Sequence, residues 1–187
     1  MQHTTRQRSE LLLRQAAGYV ELGELLVDGD APVPPSAMKL LERARRTLAE
    51  LPEAERESPQ AMLLDAESLR AMGLWDEAIP VFLAAAVKAP QRLEPWLGRG
   101  WCLKRLGRLG EAVAALEEGL QANPNQPVLH YNLACYHSLA GEVSSAIEHL
   151  TKAISIDRRF RDLTQIEPDF DPIRSDPRFV AATHMAC

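Results

Sequence analysis

Ala78, Ala112 and Ala146 stand 34 residues apart, and the residues around them keep the same step. Gly73, Gly107 and Gly141 form a second column. Ala66, Gly100 and Ala134 form a third, Phe82, Leu116 and Leu150 a fourth, and Ala85, Gly119 and Ala153 a fifth. Pro90 and Pro124 continue a sixth, which ends at Arg158. A period of this length marks a unit that cannot bury its apolar face alone and stacks on its neighbours. Small residues at fixed offsets let two antiparallel helices approach closely. The glycine suits a left-handed cap at the end of the first helix. The proline stops the second helix. The large residue fills the space between neighbouring units. The expected fold is all-α and has no sheet.

The chain has 187 residues, 46% of them hydrophobic, enough to bury a core. It is rich in Ala, Leu, Glu and Arg, all strong helix formers. A net charge of −5, from 21 basic and 26 acidic residues, argues against nucleic acid or an anionic membrane as the main partner. No apolar run approaches the roughly 20 residues of a membrane helix. The first residues lead into Arg8, Glu10 and Arg14 without an apolar signal region. A cytoplasmic location is the expectation. The cysteines, Cys102, Cys135 and Cys187, show no CxxC spacing and read as reduced thiols.

These columns resemble the tetratricopeptide repeat. Residues 93–126 match its pattern best, through Trp96, Gly100, Gly107, Ala112, Leu116, Gly119 and Pro124, and residues 59–92 and 127–160 also match. The resemblance implies a right-handed α-solenoid of antiparallel helix pairs with three regular units. Residues 1–58 look like a diverged first pair. There Ala16, Tyr19 and Gly23 stand for the first helix and Ala37, Leu41 and Ala44 for the second, with a turn-rich insertion over 28–35. Residues 161–187 resemble the end unit of bacterial members. A short helix is expected near 161–166, and a last one with Pro177 in its first turn. Phe160, Leu163, Ile166, Phe170, Ile173 and Phe179 are candidates to cover the exposed end of the array.

By the same resemblance, the first helix of each unit lines a concave groove that holds a peptide or protein segment. The groove residues would be Leu63, Glu67 and Arg70, then Glu94, Leu97, Trp101, Lys104 and Arg105, then Tyr131, Cys135 and Ser138. Trp101 with Tyr131, and Arg70 with Lys104 and Arg105, suit a partner carrying an apolar anchor and an acidic group. A solvated face, or a groove filled by the chain's own N-terminal helix, is the competing outcome. The asparagines of the family's chaperone-tail clamp are missing, since Asn132 is one place off. The expected function is an adaptor or scaffold. The alternative is a secretion-type chaperone for one client protein. Self-association is left open.

An enzyme ranks last. Cys135 and His137 are close in sequence, but a nucleophile also needs an orienting third group. His137 falls in a packing column, and a free cysteine packs as a small apolar residue. No phosphate-binding loop, HExxH or GxSxG occurs, so no cofactor is expected. Asp169, Asp171 and Asp176 lack the glycine and distal glutamate of a calcium loop, so no metal is expected either.

Overall fold

The computed structural model describes residues 2–29 and 31–184; Met1, Asp30 of the 28–35 insertion and the last three residues, Cys187 among them, lie outside. The helices in chain order are α1 Gln2–Glu24, α2 Pro35–Ala49, α3 Glu53–Arg56, α4 Pro59–Ala71, α5 Trp75–Lys88, α6 Glu94–Arg105, α7 Leu109–Ala122, α8 Pro127–Leu139, α9 Val143–Ile156 and α10 Arg159–Leu163. A 3-10 segment, Pro168–Ile173, and α11, Pro177–His184, complete the order. No strand occurs among the described residues.

Helix ends sit where the chemistry puts them. Proline opens α2, α4 and α8, where its missing N–H costs nothing. The Ser58 hydroxyl accepts from the Ala61 N–H at 3.3 Å and caps α4. Gly73, Gly107 and Gly141 have φ of 78°, 73° and 76°. Each closes a helix with paired backbone bonds: at Gly73, Leu74 N donates to Leu69 O at 2.9 Å and Gly73 N to Arg70 O at 3.0 Å. A side chain at these glycines would be strained.

The chain divides into two compact units, Met1–Cys102 and Leu103–Cys187. In the first, α1 packs on α2, α2 on α4, and α4 on α5. Ala16, Ala37, Leu41 and Ala44 are fully buried, as their columns predict. Leu12, Ala16, Leu48, Leu51 and Ala61 form one core, and Leu63, Ala66, Leu69, Ala78, Phe82 and Cys102 form another. A Cβ at Gly98 would run into the Phe82 ring, so α6 approaches that ring with bare backbone.

In the second unit, α8 packs on α7 and α9, with Ala112, Leu116, Leu129, Leu133, Ala146 and Leu150 fully enclosed. The 3-10 segment lies on α8, while α10 and α11 lie on α9. Phe170, Ile173 and Phe179 are buried there. Leu163 and Ile166 are not: Ile166 is 79% exposed, which corrects their expected part in covering the end. The short helix expected near 161–166 starts earlier, because the Asp157 carboxylate accepts from the Arg159 N–H at 3.0 Å. Arg174 ties the following turn, donating to the carbonyls of Thr164 at 2.9 Å and Glu167 at 2.8 Å.

Candidate partner-binding surface

Two neighbourhoods collect the candidate groove residues, one in each unit. In the first, Trp101 on α6 meets Trp75 at the start of α5, edge to face, with ring centroids 6.1 Å apart. The Arg70 guanidinium lies 5.3 Å from the centroid of Trp101. Arg70 donates to the Glu67 carboxylate at 2.5 Å, and to Glu24 from α1. Burial alone would lower the Arg70 pKa, but Glu67 and then Glu24 outweigh it and hold the group above its usual value. Burial lifts the Glu24 carboxyl, and Arg70 only partly offsets this. Trp101 is half-buried, Glu94 exposed and Leu97 intermediate. Leu63 belongs to the core with Phe82 and is not on the surface.

In the second unit the same repeat positions are closed. Tyr131, Cys135 and Ser138 are buried. The Tyr131 ring packs against Phe160 at 4.9 Å and Phe170 at 5.6 Å between centroids. Lys104 is ion-paired with Asp169 and lies 5.9 Å from the Tyr136 ring centroid. The chain's own C-terminal segment therefore supplies an acid to Lys104 and an aromatic ring to Tyr131. The expected competitor for these positions was the N-terminal helix; the occupant is the segment around 168–173. Arg70 and Lys104 each have an internal carboxylate, which weakens the case that they await an acidic partner.

The aspartates Asp169, Asp171 and Asp176 also have partners. Asp169 holds Lys104, Asp171 holds Arg174 at 2.9 Å, and Asp176 holds Arg178 at 2.9 Å. Among the described residues no group of three or more His, Cys, Asp or Glu is placed to hold a metal ion. Burial pushes the Cys102 thiol up to about 12 and the Cys135 thiol up as well. A nucleophilic cysteine needs the opposite shift. His137 Nδ1 faces the Glu142 carboxylate at 2.6 Å.

Sequence spacing missed the roles of Trp75, Glu24 and Asp169. Trp75 follows the glycine turn and has no counterpart in the other units, while Glu24 and Asp169 lie outside the periodic region. No periodic signal points to any of them.

Helix pairs packed through small-residue columns define a helical-repeat interaction scaffold. The tetratricopeptide repeat model matches residues 63–127 and 97–159, together just over half of the chain. The protein belongs to the tetratricopeptide repeat family. Among solved structures, a MamA RS-1 double mutant is similar over 95% of this chain and 90% of that one, at 19% identity and a TM-score of 0.66. Another MamA crystal structure is similar over 83% and 94%, at 19% identity and a TM-score of 0.59. A MamA fragment from Desulfovibrio magneticus RS-1 is similar over 83% and 87%, at 18% identity and a TM-score of 0.55. These likenesses are of fold. Among the described residues no helix is long and apolar enough to cross a membrane.

Proposed function

We propose that the protein is an adaptor that holds a peptide or protein segment against the Trp75–Trp101 pair of its first unit. The observation that carries this is the preset geometry of that pair, with Arg70 fixed beside it by Glu67 and Glu24. A rigid aromatic pair offers a large apolar contact at little entropic cost on binding. An apolar or aromatic anchor on the partner supplies most of the affinity. An acidic group on the partner adds less than the basic stripe suggests, because Arg70 and Lys104 are already matched. Tyr131, Cys135 and Ser138 take part only where the C-terminal segment moves aside.

The test is affinity capture with the parent chain, Trp101→Ala, Trp75→Ala and the exposed control Glu117→Lys. A partner recovered by parent and control but lost with both tryptophan variants supports the aromatic site. Equal recovery by all four proteins overturns it. A single secreted client among the recovered proteins would favour the chaperone alternative.

A further inference from the structure

The chain has five histidines, and three of them meet in the α8–α9 hairpin. His130 and His137 lie about two turns apart on α8. His149 from α9 stands between them, its ring centroid 5.2 Å from that of His130 and 5.4 Å from that of His137. The His137 and His149 rings are stacked, with an interplanar angle of 17°. The Nδ1 atoms of His130 and His149 are 3.0 Å apart. The centroid separation exceeds the nitrogen separation by nearly the depth of two half-rings, so the two nitrogens point almost directly at each other. Lone pairs aimed at a shared metal would meet about 2 Å from each nitrogen. Nearly opposed nitrogens this close leave room for one shared proton instead.

Such a pair is complete when neutral: one nitrogen donates and the other accepts. Charging both rings would put two N–H groups head to head. A single extra charge would sit in a largely buried stack, where His130 and His137 are each over nine-tenths buried and His149 is half-buried. We propose that the His130–His149 pair is an acid-sensitive latch, holding α8 to α9 while both imidazoles are neutral and releasing the hairpin as they charge.

The electrostatics agree. Burial pushes the His130 imidazole down; the Pro124 carbonyl opposes this and Lys152 adds to it. Burial, then His130 and His137, push His149 down against the pull of Glu148. Glu142 faces His137 from the turn. Among the described residues, no charged group of α7, α10, α11 or the 3-10 segment contributes to the shift of His130 or His149. Both titrate below the unfolded value of about 6.5, so the unfolded chain takes up protons first as pH falls. The contribution of the His130–His149 pair is full above about pH 6.5 and is lost progressively below it. Because α8 also carries Tyr131, opening the hairpin loosens the seat of Phe170 and hence the C-terminal segment.

The experiment compares the full chain with His149→Gln and His130→Gln between about pH 7.5 and pH 5. Proteolysis within 127–156 is followed, and the imidazole protons are titrated by NMR. The parent should be cleaved at least about tenfold faster at the acid end, and each variant should change less than about threefold. His130 and His149 of the parent should titrate below about pH 6.5. A parent that does not respond to pH, or a variant that keeps the full response, overturns the latch. Should a variant fail to fold at neutral pH, the parent titration decides: ordinary or raised histidine values end the proposal.

Discussion

Trp101 and Tyr131 occupy matching faces of successive first helices, yet they meet different fates. Trp101 stays half-buried beside Trp75 and Arg70. Tyr131 lies under Phe160 and Phe170, with Lys104 already paired to Asp169. The repeat sets which residues share a face. A segment outside the repeat decides whether that face is open. The exposed end of a repeat array is costly, and here the segment around 168–173 brings an acid to Lys104 and a ring to Tyr131.

The largest effect should follow from removing that cover. Truncation after Arg158 deletes Phe170, Ile173 and Phe179 and exposes Tyr131, Cys135 and the apolar side of α9. The shortened chain should aggregate or lose cooperative unfolding, as read by light scattering and thermal denaturation. Unfolding like the parent's would mean that the segment is a tail and that the two regions do not differ in kind.

Single residues within the cover sharpen the contrast. Phe170→Ala should destabilise the protein by about 3–5 kcal/mol, because a fully buried ring is lost without refilling. Ile166→Ala, on the same segment but exposed, should stay within about 0.5 kcal/mol. Chemical denaturation of both variants measures the difference, and equal losses would contradict the observed burial.

A smaller effect is expected at the ion pair. Asp169→Asn should cost about 1–2 kcal/mol, since Lys104 is left partly buried without its carboxylate. A double-mutant cycle with Lys104→Met should recover part of that loss. If the two changes simply add, the pair does not couple the C-terminal segment to the repeat.

Much of this was legible in the sequence and some was not. The glycine caps at Gly73, Gly107 and Gly141 followed from spacing alone, because a left-handed helix end needs a residue without a side chain. The burial of Ala37, Leu41 and Ala44 on α2 was readable too, since close helix packing favours small residues such as Ala37 and Ala44 and a large apolar residue fills the space beside them. The bare approach of Gly98 to Phe82 was not, because it depends on where the ring turns. Burial of Tyr131, Cys135 and Ser138 was missed for a related reason: periodicity assigns a face and says nothing of a non-repeating segment folding onto it. The acids that meet Arg70 and Lys104 were out of reach of spacing for the same reason. Arg70 and Lys104 find their acids at Glu24 and Asp169, 46 and 65 residues away in sequence.

The most direct measurement of the binding claim is titration of the captured partner against Trp101→Ala, with circular dichroism as a check on helix content. The open aromatic site predicts at least tenfold weaker binding, about 1.4 kcal/mol, with the helix signal unchanged. Affinity equal to the parent's would mean that the partner docks elsewhere and that the open face of Trp101 is only solvated surface.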